Sequence, residues 1–262
     1  MLCLATTMTR SSATAPASHR IAYLDGAAAS DVGRAYKQRL LRELRIGPGH
    51  VVLDVGCGPG TDLPAMAGAA APGGTVIGID RDPAMLGAAR HRTRVHPNVE
   101  IGAGDAHALP LPDASIDRAR ADRVLQHVAD PAKAVAELRR VLRPAGRVAL
   151  AEPDWDTLAI DATDTATSRD YTRFITSHVV RNAAIGRSLG RLLHDAGFVV
   201  DAVDATVALF RDHHSAETIL RMPTVAERAW RAGHLDEGRA RAWLADLAAG
   251  PRSWPRSPSS PR

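Results

Sequence analysis

The chain reads as an α/β protein built on a mostly parallel sheet. Three observations lead there: short β-branched apolar runs alternate with helical stretches, two of the helices open on Asp-Pro, and a glycine cluster closes the first apolar run. Strands separated by helices of this length pair in parallel through right-handed crossovers, with helices over both faces.

The elements follow in order. Residues 31–45 place Val32, Ala35, Leu40, Leu41 and Leu44 at roughly helical spacing behind Asp31, a residue type that caps helices, so a leading helix is expected. Gly47-Pro48-Gly49 breaks it, and His50 to Val55 is a β-branched run of the kind that forms a buried parallel strand. A helix from Thr61 to Ala70 and a second strand from Thr75 to Asp80 come next. Asp82-Pro83 starts a helix running to Arg92, because proline at the first helical position gives up an amide that has no partner there anyway. Val99 to Ile101 is a short third strand. Ile116 to Ala121 is a fourth, although Arg118 and Arg120 sit oddly in a buried strand. Asp130-Pro131 repeats the start signal, and Val135, Leu138, Val141 and Leu142 line one helical face before Pro144 and Gly146 end it. Arg147 to Ala151 is the fifth strand. Beyond Glu152-Pro153-Asp154-Trp155 the alternation lapses: residues 157–196 read as mainly helical and Phe198 to Phe210 as a sixth strand. Two helices follow, Ala216 to Ala232 and Asp236 to Ala249.

With 262 residues, 45% hydrophobic and 24% charged, the chain can bury one sizeable core and a small cap. The net charge of +4 is spread among acids rather than gathered into a basic run, so no nucleic-acid partner is implied. Cys3 and Cys57 make neither a disulfide framework nor a zinc site, which fits a reducing cytoplasm. The longest uncharged stretch, Leu63 to Ile79, is broken by Pro64, Pro72, Gly73 and Gly74, so a membrane-spanning helix is not expected. The first twenty residues lack acids and are rich in Ser, Thr and Ala, as transit peptides are, but their apolar patch is short and no basic residue precedes it. An unstructured tail over 1–24 is the expectation, and a start at Met8 stays open. His213, His214 and Glu217 hint at metal ligands, yet neighbouring residues on a strand or loop point apart, so no metal is expected.

In an open parallel sheet a ligand binds beyond the carboxyl ends of the strands, near the first strand, where Gly56-Cys57-Gly58-Pro59-Gly60 lies. The spacing is G-x-G-x-G, with Thr61 where the last glycine of a dinucleotide fingerprint would stand, so a nicotinamide cofactor is the weaker reading. Asp80, roughly twenty residues on at the end of the second strand, suits the hydroxyls of an unphosphorylated ribose. Gly104-Asp105-Ala106 puts a further small residue and acid at a strand tip, suited to an adenine amino group.

The blocks VVLDVGCGPGTD, VIGIDRDPAML, GDAHALPLPDASID and ADRVLQHVADPAKAVAELRRVLRPAGRVALAEP, in this order within residues 35–155, resemble class I S-adenosylmethionine (SAM)-dependent methyltransferases. The likeness is to the branch of ubiquinone- and menaquinone-biosynthesis methyltransferases. It implies a Rossmann-like sheet, SAM as cofactor and methyl transfer to a small molecule such as a secondary metabolite. Carried onto this sequence, it implies that Gly56, Gly58 and Gly60 approach the methionine part of SAM with Asp54 supporting the loop. Asp80 would hold the ribose, Arg81 and Met85 would flank the adenine, and Gly104, Asp105 and Ala106 would meet its polar edge. Arg123 would lie near the methionine tail. His127, with a resting pKa suited to the task, is the candidate general base. Tyr23, Asp154 and Trp155 are candidates for the acceptor pocket.

The expected division is a SAM-binding core over 25–156, a helical substrate cap over 157–185 carrying Tyr171, Phe174 and Ile175, the remainder of the fold over 186–249, and an unstructured tail over 250–262. Two alternatives stay open: non-methylating chemistry in the same fold, such as a cyclase, and a non-catalytic partner subunit. Retention of Asp80, Asp105 and the loop glycines speaks against lost cofactor binding. Related enzymes usually finish with an antiparallel hairpin whose last strand enters the sheet, and here the proline-rich residues 250–262 cannot supply it. Three outcomes are open: another chain or a second copy completes the sheet edge, Phe198–Phe210 pairs directly with the fifth strand, or the reading frame is altered near its end.

Overall fold

A computed structural model describes residues 16–210 and 213–250. Five parallel strands, β1 (Val51–Val55), β2 (Thr75–Asp80), β3 (Val99–Ala103), β4 (Ile116–Asp122) and β5 (Leu142–Ala151), form one sheet in the order β3-β2-β1-β4-β5. The winding reverses between β1 and β4, which places the glycine loop after β1 at the crevice where such sheets bind ligands. Helices α3 (Leu63–Ala70), α4 (Pro83–Thr93) and α5 (Pro131–Val141) make the crossovers. The Asp-Pro signals hold: Asp82 accepts from the Ala84 amide and Asp130 from the Lys133 amide, each with proline starting the helix. The core lies on both faces of β1, whose Val52 and Leu53 are fully buried.

Several sequence expectations need correction. The leading helix α2 (Asp31–Leu44) is capped by Ser30, whose hydroxyl accepts from the Gly33 amide, rather than by Asp31. Residues 17–24 of the expected tail belong to helix α1 (Ala17–Ala29), while residues 1–15 lie outside the described residues. Ala17, Ile21, Leu24 and Ala28 of α1 fall at helical spacing, and Ala27 and Ala28 are buried. Tertiary ion pairs also hold it, Arg20 to Asp82 at 2.5 Å and Asp25 to Arg92 at 2.9 Å. β5 starts at Leu142, directly after α5, and accommodates Pro144 in the register shift between Leu142 and Arg147, where the strand does not pair with β4.

The sixth strand does not form. Phe198–Phe210 carries no strand pairing, and among the described residues β5 pairs with β4 alone, so the direct pairing of this run with β5 is not formed. Alternate residues of the run put apolar groups on both faces, a pattern that needs cover on both sides, and no further strand lies beyond it among the described residues. Val199, Val203 and Val207 are 89%, 77% and 87% exposed. The run is tied down by charge: Asp201 pairs with Arg147 at 2.8 Å and Asp204 with Arg39 at 2.6 Å.

Helix α6 (Thr165–Phe174) continues into a π-helical turn (Ile175–Val179), and α7 (Ile185–Asp195) packs with α5. Helices α8 (His213–Leu220), α9 (Met222–Arg231) and α10 (Glu237–Ala249) join α6 and the π turn in a second core around Tyr171, Phe174 and Trp243. His213 and His214 therefore open a helix rather than lying on a strand or loop. Of the expected C-terminal tail, residues 251–262 lie outside the described residues.

Candidate active site

At the end of β1 the backbone turns through Gly56, Gly58 and Gly60 with φ of 67°, 54° and 77°, the left-handed region that side chains disfavour. A Cβ on Gly56 would stand 2.4 Å from Val124 Cγ2, and one on Gly60 3.0 Å from Ala89. The Gly56 and Cys57 amides donate to the Ile79 carbonyl at 2.7 and 3.0 Å, locking the loop to β2. Asp80, at the end of β2, accepts from the Gly58 amide and, with its other oxygen, from the Asp82 amide, both at 2.9 Å. At the β3 tip Asp105 accepts from the His107 amide at 2.8 Å and contacts the His107 ring at 2.6 Å. These bonds hold its carboxyl below the usual carboxylate range.

Beneath the loop lies a buried charge cluster. Asp54 on β1 faces Arg120 in register on β4, with Arg120 Nε 3.2 Å from Asp54 Oδ1. That contact lacks hydrogen-bond alignment, so both Asp54 oxygens have no hydrogen-bond partner among the described residues. Arg120 bonds Asp62 at 2.5 Å, while Lys37 of α2 bridges Asp62 and Asp122 at 2.6 Å each. Burial pushes the Asp54 carboxyl up to about 6 against the pull of Arg120. Burial acts likewise on Asp62, but Arg120 and Lys37 outweigh it and hold that group low. The arginine that looked foreign in β4 is thus the partner of a carboxylate on the next strand. Asp54 and Arg120 were both visible in the sequence, but their pairing depends on strand register.

The turn after β4 begins at Arg123, which has φ of 59° and lies over the Tyr23 ring of α1 at 5.6 Å. His127, four residues on, is open to the cavity but surrounded by protein. That crowding, followed by the cations Arg123 and Arg81, holds its imidazole below the ordinary value of 6.5, so it is neutral at neutral pH.

Gly56, Gly58, Asp80, Arg81, Met85, Gly104, Asp105, Ala106, Arg123 and His127 all line a cleft at the carboxyl ends of the strands, which runs on past the β5 edge and along Val199–Phe210. Asp54 and Gly60 lie behind its wall. Tyr23, Asp154 and Trp155 line it as well, whereas Tyr171, Phe174 and Ile175 are buried in the helical core. The Tyr171 hydroxyl donates to the Leu220 carbonyl at 3.1 Å and its ring packs on Trp243 with centroids 5.0 Å apart. Sequence reasoning missed Lys37, Asp62, Asp122, Glu152 and Asn182. Asp62 closes the quoted glycine block, and Glu152 heads Glu-Pro-Asp-Trp, but Lys37 and Asn182 carry no local signal.

The family model for a methyltransferase domain matches residues 53–150. An uncharacterized 37.1 kDa protein in a transposon of Streptomyces fradiae is 52% identical over 231 residues, covering 88% of this chain and 67% of the relative. A demethylmenaquinone methyltransferase of Staphylococcus aureus is 34% identical over 127 residues, 48% of this chain and about half of that relative's length (53%). The crystal structure of a SAM-dependent methyltransferase from Aquifex aeolicus superposes with a TM-score of 0.53 at 25% identity, over 70% of this chain and 89% of that one. The chain belongs to the class I SAM-dependent methyltransferases. SAM is its cofactor, and the α/β sheet is the Rossmann-like methyltransferase core. Among the described residues no helix is long and apolar enough to cross a membrane.

Proposed function

We propose that this methyltransferase transfers a methyl group to a small-molecule acceptor, with His127 as general base. The observation that carries the reading is that the turn bearing Arg123 and His127 abuts the glycine loop, a Cβ on Gly56 standing only 2.4 Å from Val124 Cγ2, so the candidate base and the cofactor loop adjoin. The likeness over the core to a demethylmenaquinone methyltransferase supports it.

The loop fits the cofactor. A side chain at Gly56 would run into Val124 and one at Gly60 into Ala89, so the loop keeps its close turn only with glycine there, and three carboxylates (Asp54, Asp62, Asp122) stand against two cations (Arg120, Lys37) beneath it, a surplus of negative charge suited to a cationic methionine tail. Gly56, Gly58 and Gly60 would admit that tail closely, with Arg123 on its carboxylate and Asp54 supporting the loop. Asp80 would accept from the ribose, Arg81 and Met85 would flank the adenine, and Gly104, Asp105 and Ala106 would meet its edge. SAM supplies an electrophilic methyl on a sulfonium. The chain's task is alignment and exclusion of water, and His127 takes the proton of an acceptor hydroxyl or acidic carbon.

The test is methyl transfer from labelled SAM to a panel of small acceptors. Asp80→Ala should weaken SAM binding by about 1–3 kcal/mol, the magnitude for leaving buried donors unpaired, and calorimetry showing unchanged affinity sinks the cofactor assignment. His127→Ala should lower turnover at least tenfold while SAM affinity stays put; a fall in affinity alone makes the histidine structural. As base, His127 acts while neutral, so its contribution fades as pH falls through a value below 6.5.

For the sheet edge we propose that an extended strand of another chain pairs with β5. Its unpaired outer side and the exposed apolar run Val199–Leu209 beside it support this. Co-purification and size-exclusion chromatography test it: a stable, fully active monomer overturns it, and a dimer of this chain alone makes the partner a second copy.

A further inference from the structure

The turn over residues 123–128 bears both Arg123, proposed for the methionine tail, and the candidate base His127. Arg123 and His127 line the cavity from it, and the Val124 side chain abuts Gly56 of the cofactor loop. Such an irregular segment must satisfy its backbone groups one by one, and here the partners come from two sources. From the β5 side, the Ala151 carbonyl accepts the Arg123 amide at 2.8 Å. The Glu152 carboxylate then takes three amides in succession: Val124 at 2.7 Å and Leu125 on one oxygen, Gln126 at 3.4 Å on the other. From the cap side, Asn182 lies between the π turn and α7. Its side-chain amide donates to the Leu125 carbonyl at 2.7 Å and the Val128 carbonyl at 2.9 Å, and its backbone amide to the Gln126 carbonyl at 3.1 Å. The Trp155 indole adds a bond to the Gln126 side chain at 2.9 Å.

We propose that Glu152 and Asn182 are positioning residues that clamp this turn from opposite sides: Glu152 sets its cofactor-facing half, with Arg123 and Val124, and Asn182 its acceptor-facing half, with His127. The inference rests on the function proposed above. It gives the cap a defined influence on the reaction, because the chain between π turn and α7 holds the carbonyls that flank the base. A carboxylate suits the first role because it accepts without donating, and a carboxamide the second because it donates twice.

Asn182→Asp keeps the size of the side chain but sets an acceptor against two carbonyls. Turnover should fall about 10- to 100-fold, the scale set by a misplacement of roughly an ångström, while SAM affinity stays within about twofold. Asn182→Ala serves as the second variant if the aspartate does not fold. Glu152→Gln should raise the SAM dissociation constant and lower turnover together, each about tenfold, and the amides of 124–126 should lose hydrogen-exchange protection. A pH profile separates the clamp from bulk destabilisation. Burial, opposed by the three amides and aided by the neighbouring carboxylate Asp122, pushes Glu152 up to about 7. Asp154, two residues on, is neutralised by Arg187 of α7. Wild-type turnover should therefore decline as pH falls through about 7, and in Glu152→Gln this limb should vanish, leaving the His127 limb below 6.5. Wild-type turnover with unchanged kcat in both Asn182 variants, or an unchanged acid limb in Glu152→Gln, overturns the clamp. If the wild type binds SAM but methylates nothing, the functional reading fails, while exchange protection and SAM affinity still decide the clamp.

Discussion

The two margins of β4 are finished in opposite ways. On one side β1 runs between β2 and β4 with its backbone paired on both edges, and its tip is fastened by glycine-loop amides, Asp80 and a buried ion cluster. On the other side β5 pairs once, its residues from Gly146 to Ala151 are only half-buried, and the run beside it is held by two ion pairs. An interior strand satisfies its polar groups through its neighbours, whereas an edge leaves a row of them for solvent or another chain. The rigid margin carries the groups proposed for SAM. The open one has its apolar side chains facing water.

That contrast predicts its largest effect in hydrogen exchange. Amides of β1 should exchange only through global opening, and those of Val199–Phe210 should be almost unprotected, a ratio of at least about a thousandfold. Equal protection of the two would mean the run is covered in solution, as the strand-pairing proposal requires once a partner is bound.

Within the rigid margin the loop glycines should not be equivalent. Gly56→Ala forces a Cβ to 2.4 Å from Val124, on the turn that Glu152 grips, as well as a side chain at φ of 67°. Gly58→Ala meets only Leu24, at 3.6 Å, and carries the backbone strain alone. SAM affinity should drop roughly 100-fold for Gly56→Ala and about tenfold or less for Gly58→Ala, taking strain at about 1–3 kcal/mol; calorimetry giving the reverse order would show that Val124 yields easily.

The smallest effect concerns stability. Val52→Ala removes methyl groups from a fully buried site and should cost about 2–3 kcal/mol, while Val203→Ala, 77% exposed, should stay within about 0.5 kcal/mol. Chemical denaturation of the two variants measures the difference directly. A large loss at Val203 would place that residue in a contact formed only in solution.

Local chemistry was enough to read most of the sheet. Asp-Pro starts, β-branched runs and the glycine cluster act over a few residues, so the strands β1 to β5 and the helices between them were legible from the sequence, as was the place of the glycine loop and of the acids at the β2 and β3 tips. Arg120 shows where that legibility ends: as a residue in a strand it is an anomaly, and only the register of β4 on β1 makes it the partner of Asp54. Helix α1 has only a short apolar stripe of mostly small residues, and its place over the glycine loop is fixed by Arg20 and Asp25 meeting residues far along the chain. Phe198–Phe210 fails in the opposite sense, since β-branched residues suit a strand but a strand forms only when a neighbour accepts its hydrogen bonds. Glu152 heads a recognisable block and Asn182 carries no signal at all, but the role of neither could be read, because their partners are backbone groups of a turn, which have no sequence signature. The sequence alone determined which residues could bind and react; tertiary structure decided which of them face one another, because register, edge pairing and backbone satisfaction arise only once distant segments are packed.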